Sequence, residues 1–289
     1  MRHLVFVSLL WAFSFPLIKR HLTGLDPNAV AFARMAMALL VLMPFLRPRR
    51  VPKGLAIRLA AIGALQMGVM YIAYIRSYQY LKAHEVALLT IFTPLWITLI
   101  SSLLTRRLML RFHLAALLAV AGAAVIVVRP EGYGPVLVGV GLVQIANLAF
   151  GAGQILYRRA MAARPDLGCR DVFGYVYLGA AVVTFAAALA TYDPARLEIT
   201  ARQGLVLIYL GVVAAGLGFL LWNHGATRVR VGALAAANNL TIPLAVLASM
   251  VLFGERADPV RLAIGGMLIV TAMAIHRGRV RPSSIAQPE

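Results

Sequence analysis

The stretch 83–104, AHEVALLTIFTPLWITLISSLL, decides the fold, because it recurs at 232–253 as GALAAANNLTIPLAVLASMVLF. Both copies are apolar runs of helical length with one proline, Pro94 or Pro243, near the middle. A shift of 149 residues lays 83–128 over 232–277 without a gap, and a shift of 139 lays 11–14, WAFS, over 150–153, FGAG. These matches predict two copies of one unit, with chance similarity between apolar segments as the alternative.

The composition indicates a polytopic membrane protein. Hydrophobic residues make up 61% of the chain and charged residues 13%, and the mean hydropathy is +0.83. These values exclude a soluble domain with a polar surface. Most of the apolar segments approach the roughly 20 residues that a helix needs to cross a bilayer. Ten segments can be marked, at 4–18, 27–46, 59–81, 86–104, 114–128, 136–157, 172–191, 205–223, 232–253 and 262–275. The sequence therefore predicts an all-α protein with ten transmembrane helices.

The basic residues lie mainly on one side of the predicted membrane. If the N-terminus and alternate loops share a side, that side holds eighteen of the 28 Lys and Arg residues and the other side holds eight. Because Lys and Arg in short loops favour the cytoplasm, both termini are predicted to be cytoplasmic, in an inner membrane.

An odd number of spans in each copy inverts the second copy relative to the first. The predicted repeats cover 1–130 and 133–277, followed by a cytoplasmic tail at 278–289. The net charge of +18 is divided among loops without interleaved aromatic residues, so it favours contact with anionic lipid headgroups over nucleic-acid binding.

Four predicted spans carry polar or aromatic side chains at helical spacing, the pattern expected for the wall of a wet cavity. Each stripe also has an ordinary interpretation, in which tyrosines anchor at the membrane interface and Thr or Asn joins neighbouring helices. The predicted substrate-binding residues are Tyr71, Tyr74 and Tyr78 on the third span, Thr90 and Thr93 on the fourth, Asn147 and Gln154 on the sixth, Asn238 and Asn239 on the ninth, and the indoles Trp11 and Trp222.

Three prolines inside spans, Pro16, Pro94 and Pro243, are predicted gating or kink positions. Each removes a backbone donor and frees a carbonyl about one turn earlier, and such breaks often border the binding site of a transporter. Kinks that serve packing alone are the alternative.

Charged residues inside the spans are few. Arg34 and Arg76 are predicted to extend outward to the interface, with Asp26 and Glu85 as partners. No Asp or Glu lies midway along any predicted span. A buried proton relay is therefore not expected, since such relays use intramembrane carboxylates or histidines.

Several stretches resemble the drug/metabolite transporter superfamily, in particular its ten-span EamA-type exporters. They are 9–19, LLWAFSFPLIK, then Arg34 in the second span, and Pro243 followed by 253–256, FGER, and by 265–266, GG. The resemblance covers nearly the whole chain and implies two EamA-type repeats around a central cavity walled by the first, third, fourth, sixth, eighth and ninth spans. It also implies export of amino acids or related metabolites. One departure is that the first repeat has 105–107, TRR, where the second has 254–256, GER.

The leading functional hypothesis is a secondary exporter of small amphipathic metabolites, with aromatic amino acids favoured by the tyrosine stripe. We expect no cofactor and no metal, and a monomer or a weak homo-oligomer in the bilayer. The alternatives are a channel or scaffold and, less favoured, an intramembrane enzyme. An enzyme would need a nucleophile with a base, or clustered metal ligands, whereas all six histidines lie near span ends.

Overall fold

The structure, a computed structural model, describes residues 2–105, 110–127, 134–191, 193, 198–226 and 240–277. Every regular element in these ranges is helical, which confirms the predicted all-α class. The helices are α1 at Arg2–His21, α2 at Pro27–Leu42, α3 at Lys53–Ser77, α4 formed by Ala83–Leu89, Thr90–Phe92 and Thr93–Thr105, α5 at Leu110–Val127, α6 at Gly134–Ala162, α7 at Cys169–Ala190, α8 formed by Ala201–Ile208, Tyr209–Leu217 and Gly218–Ala226, α9 at Leu240–Leu252 and α10 at Pro259–Arg277.

Six of these helices, α1, α2, α3, α6, α7 and α8, are long and apolar enough to cross a membrane. The described parts of the other four form shorter apolar helices. The structure thus contains six clear spans, and the count of ten stays a prediction.

Helices α3 and α8 each contain a π-helical turn near the middle, at Ala64–Val69 and at Tyr209–Leu217. A π turn alters the regular backbone pairing, and freed polar groups need new partners inside a membrane. In α8 two carbonyl groups of the π turn accept hydrogen bonds from side chains of other helices. The indole N–H of Trp11 donates to the Ala214 carbonyl at 2.9 Å, and the Tyr177 hydroxyl donates to the Ala215 carbonyl at 3.0 Å.

The central packing joins the first and second halves of the chain. Helix α7 packs on both α2 and α3, and α2 also packs on the π turn of α8. Where α3 crosses α7, a Cβ atom at Gly63 would overlap the carbonyl oxygen of Val176, and one at Gly179 would overlap that of Ala60. The two backbones therefore touch directly, as small residues allow in membrane proteins.

Alternate loops meet on opposite faces of the helix bundle. On one face, which we call the outer face after its predicted side, Arg20 Nη1 donates to the Phe253 carbonyl at 3.3 Å and Gln203 Nε2 donates to the His21 carbonyl at 3.0 Å. On the opposite face, Arg164 Nη2 donates to the Arg50 carbonyl at 3.5 Å. This arrangement agrees with the predicted alternation of loops.

The loop between α9 and α10 caps helix α4 on the outer face. Glu255 accepts hydrogen bonds from the backbone N–H of Ala83 at 2.7 Å and of His84 at 3.0 Å, and its Oε2 lies 2.7 Å from His84 Nδ1. Gly254, with a φ of 67°, ends α9 in the left-handed conformation that lets the chain turn toward α4. A residue of the second half of the chain thereby stabilises a helix end of the first half.

Candidate substrate cavity

A cavity of about 160 Å³ lies between α1, α2, α3, α4, α6, α8 and α9. Its aromatic lining residues are Trp11, Phe15, Tyr71, Tyr74, Phe150 and Phe219. Its polar lining residues are Ser14, Arg34, Thr90, Thr93, Asn147 and Thr241. A mostly apolar wall with a few polar groups is typical of small-molecule sites.

Arg34 on α2 is the one cation among these lining residues, and only 2% of its surface is exposed. Its Nη2 donates to the Tyr71 hydroxyl at 3.3 Å, and its Cζ lies 4.4 Å from the centroid of the same ring, a cation–π contact. Nε and Nη1 have no hydrogen-bond partner within the described residues, and Arg34 forms no ion pair with any of them. The cavity wall therefore contains a buried positive charge that no carboxylate of the described residues balances.

The prediction that Arg34 extends outward to Asp26 or Glu85 is wrong. Asp26 Oδ1 accepts from the Ala29 N–H at 2.7 Å and caps α2. Glu85 Oε2 accepts from the Lys82 N–H at 2.7 Å at the start of α4. Both carboxylates thus serve helix N-termini, while Arg34 faces the protein interior.

Helix α4 bends beside the cavity just before Pro94. The Thr93 N–H bonds to the Thr90 carbonyl, three residues back, in a short 3₁₀ turn. Asn147 of α6 donates from Nδ2 to the Leu89 carbonyl at 2.8 Å, and its Oδ1 accepts from the Thr93 hydroxyl at 3.0 Å. Asn147 therefore joins α6 to the bend, and its amide offers the cavity mainly a remaining acceptor lone pair.

The aromatic wall is built from rings in mutual contact. Trp11 lies 4.8 Å from Phe219 and 4.9 Å from Trp222, measured between ring centroids. Tyr74 makes edge-to-face contacts with Tyr71 at 6.0 Å and with Phe15 at 5.9 Å. Such contacts hold large flat surfaces in fixed orientations, which suits a ligand with an apolar ring.

The sequence of this chain matches that of a known transporter family in both halves. The sequence profile of the EamA-like transporter family matches residues 3–128 and again residues 137–276. The chain belongs to the EamA-like transporter family.

Curated relatives of this EamA transporter cover almost its whole length. A probable biotin transporter of Pseudomonas aeruginosa is 41% identical over 280 residues, which are 96% of this chain and 97% of the relative. The biotin transporter of Escherichia coli is 35% identical and covers 97% of this chain and 94% of the relative. A probable terminal-alkyne amino-acid exporter of Streptantibioticus cattleyicolor is 25% identical, with 97% and 95% covered. The family and these relatives show that the protein is a multi-pass membrane transporter and not an enzyme.

A solved crystal structure shares the fold of this EamA transporter. It superposes with a TM-score of 0.62 at 20% sequence identity and covers 95% of each chain. At that identity the likeness concerns the fold alone.

Half of the fourteen predicted substrate-binding and gating residues of this EamA transporter meet at the cavity. Seven of them line its wall: Trp11, Tyr71, Tyr74, Thr90, Thr93, Pro94 and Asn147. Tyr78 is fully buried behind Tyr74 and donates a hydrogen bond to the Tyr74 hydroxyl at 2.5 Å. Trp222 contacts Trp11, and the half-buried Gln154 is not among the lining residues. Pro16 is buried in α1 and Pro243 is exposed on α9, and neither is among the lining residues; Asn238 and Asn239 lie outside the described residues.

Sequence reasoning missed several lining residues of this EamA transporter, above all Arg34, Phe15 and Phe219. The two phenylalanines carry no sequence signal that separates a cavity wall from a lipid-facing surface. Arg34 did carry one, because a cation two turns into a span is costly unless it has a function.

Proposed function

We propose that this EamA transporter carries biotin across the inner membrane by alternating access through the central cavity. The observation that carries the proposal is the charge of the cavity wall, which holds one cation and no Asp or Glu among its described lining residues. The stretch 223–239, whose side chains are not described, also contains no Asp or Glu in sequence. Biotin fits such a wall, since it is a monocarboxylate with an uncharged fused ring system.

The named relatives favour the same substrate. Proteins called biotin transporters are 35–41% identical to this chain over nearly its whole length. The aromatic rings around Trp11 and Tyr74 offer apolar surface to the ring system and the aliphatic chain of biotin. The hydroxyl and amide oxygens of Thr90 and Asn147 are acceptors available to the two N–H groups of its ureido ring.

Export of amino acids is the second candidate, supported by the relative named as an amino-acid exporter. An α-amino acid brings an ammonium group as well as a carboxylate. Its ammonium group would lose water and meet only neutral acceptors at the described lining residues, which is unfavourable. The wall therefore favours an anion without a cationic group.

The proposed mechanism uses two inverted repeats, at 1–130 and 133–277, with both termini in the cytoplasm. The separate family matches in the two halves support it. So does the wall itself, because the residues paired by the shifts of 139 and 149 both line it: Trp11 with Phe150, and Thr93 with Ile242. Related positions facing one central site are the pattern of carriers with inverted repeats.

The test is flux through the purified protein in liposomes. We expect saturable entry of labelled biotin, accelerated by unlabelled biotin inside, a counterflow that a channel or a scaffold does not produce. Labelled phenylalanine, with liposomes lacking the protein as control, tests the amino-acid candidate. Biotin counterflow that persists with an uncoupler at equal internal and external pH would agree with the lack of acidic lining residues. Phenylalanine counterflow without biotin counterflow would contradict the proposal.

A further inference from the structure

We infer that Arg34 binds the carboxylate of the transported molecule and selects anionic over neutral substrates. The inference rests on transport through the central cavity and names the residue that sets its charge preference. Its starting point is a guanidinium that lines the cavity, is 98% buried and has no acceptor for Nε or Nη1 among the described residues.

The cost of this arrangement calls for a compensating ligand. A guanidinium is a permanent cation, and removing it from water without a counter-charge is expensive. Within a bilayer such groups are kept mainly where they pair with each other, with backbone or with a passing substrate. Among the described residues neither of the first two kinds of partner is present for Nε and Nη1, and a substrate carboxylate would supply the missing acceptors.

Tyr71 holds the guanidinium in place for this role. Its hydroxyl accepts from Nη2, and its ring lies against Cζ at 4.4 Å. One hydrogen of Nη2 is therefore in use, and the remaining N–H donors of Nη2, Nη1 and Nε are available to two carboxylate oxygens. A guanidinium edge binds a carboxylate through two parallel N–H···O bonds, which Lys or Gln cannot reproduce.

The neighbours of Arg34 do not compete for the carboxylate. Arg34 contacts Tyr71, and the other described lining residues, such as Tyr74 and Thr93, are uncharged; the Thr93 hydroxyl already donates to Asn147. The described wall of the cavity therefore has one subsite that can bind an anion, at Arg34, and its other lining residues are neutral.

Binding to purified protein tests the inference, with each probe used as its acid and as its primary amide. The probes are biotin and biotinamide, phenylacetate and phenylacetamide, and octanoate and octanamide. For the wild type we expect tighter binding of the acids than of the amides. Arg34→Gln should weaken binding of the acid by about 10- to 100-fold, the range for a lost hydrogen bond to a charged group, and leave the amide little changed. Arg34→Lys should retain part of the preference, because it keeps the charge without the fork.

Arg76→Gln is the matched control, since Arg76 is an exposed arginine on α3 and its loss makes the same change in charge. It should leave every affinity unchanged. Without ligand, Arg34→Gln should melt at a temperature no lower than that of the wild type, because a buried unpaired charge is removed. A large drop would show that Arg34 also supports the fold, and the Arg34→Lys variant would then take the place of Arg34→Gln in the binding test.

The outcomes separate this inference from the proposed substrate. Equal binding of acids and amides by the wild type, or an acid preference that survives in Arg34→Gln, overturns the role of Arg34 even if biotin is transported. Arg34-dependent binding of another acid without any binding of biotin supports the role of Arg34 and removes biotin as the substrate. If Arg34→Gln does not fold, the wild-type comparison of acid with amide and the Arg34→Lys variant decide the question.

Discussion

Tyr74 is the residue where the cavity wall and the packed tyrosines behind it meet. Its ring contacts Phe15, Tyr71 and Tyr78, and its hydroxyl accepts a hydrogen bond from Tyr78. We expect Tyr74→Ala to weaken biotin binding by on the order of 1 kcal/mol or more, because stacking area is lost. Tyr74→Phe keeps the ring and should retain most of the affinity. Equilibrium binding to the purified variants measures both, and equal losses in the two would show that the hydroxyl matters more than the ring.

Some residues of the cavity wall could be predicted from the sequence, and the place of Arg34 could not. Helical spacing predicted that Tyr71, Tyr74, Tyr78, Thr90 and Thr93 face a cavity, and all of these except Tyr78 line the one described here; that they bind substrate stays a prediction. The prediction that Arg34 reaches the membrane interface was wrong because it used only the distance of Arg34 from the end of the span. The side of α2 on which Arg34 lies determines which residues surround it. Those surroundings depend on packing against α3 and α8, which no local pattern contains.

Among the helices, we expect the glycines where α3 crosses α7 to allow no larger residue in their place. Gly63→Ala would place a methyl group on the Val176 carbonyl, so the helices must move apart and lose their contact. We expect the apparent melting temperature in detergent to fall by several degrees, with reduced yield. Gly141→Ala on α6 is the control, since a Cβ atom there meets nothing within 4 Å. A Gly63→Ala protein as stable as the wild type would mean that the crossing is looser than described.

Glu255 should stabilise the outer face in a pH-dependent way. Burial acts to raise the pKa of Glu255, but hydrogen bonds from the His84 side chain and from the N–H groups of Ala83 and His84 outweigh it and hold that pKa below its usual value. The stabilisation is therefore present above the usual pKa of a glutamate and is lost as pH falls through the lowered value.

Glu255→Gln should accordingly cost about 1–2 kcal/mol at neutral pH, from weakened capping of α4. Thermal melts of the variant and the wild type should converge as the pH is lowered. Asp258→Asn in the same loop is the comparison, because Asp258 is exposed and bonds only near its own helix, to the N–H groups of Val260 and Arg261. A gap between wild type and Glu255→Gln that stays constant with pH would contradict the assigned charge.

Helices and their bends were predictable to different degrees. Apolar length predicted the six clear spans, and Pro94 lies just after the 3₁₀ turn of α4. The π turns of α3 and α8 had no such mark, and in α8 the carbonyl groups of the turn accept from side chains far away in sequence, such as Trp11 bonding to Ala214. Elements that depend on distant partners are not visible in a local pattern.

For the whole molecule, the charge distribution predicts that both termini are cytoplasmic. In a background in which Cys169, the one cysteine of the chain, is replaced, single cysteines at Ser284 and at Ala195 report the two sides. An impermeant thiol reagent applied to intact cells should label position 195 and spare position 284. Labelling of position 284 would reverse the orientation.

The direct backbone contact between α3 and α7 also determines which parts of the protein can move. Helix α3 belongs to the first predicted repeat and α7 to the second, so we expect this close contact to hold the two repeats together while the cavity opens and closes. In this view α3 and α7 stay in contact at the crossing and other helices move relative to them. Three helices beside the cavity contain a proline at which they can bend: α1 at Pro16, α4 at Pro94 and α9 at Pro243. We therefore expect the cavity to open and close by bending of these three helices at their prolines, two of which lie in the first predicted repeat and one in the second.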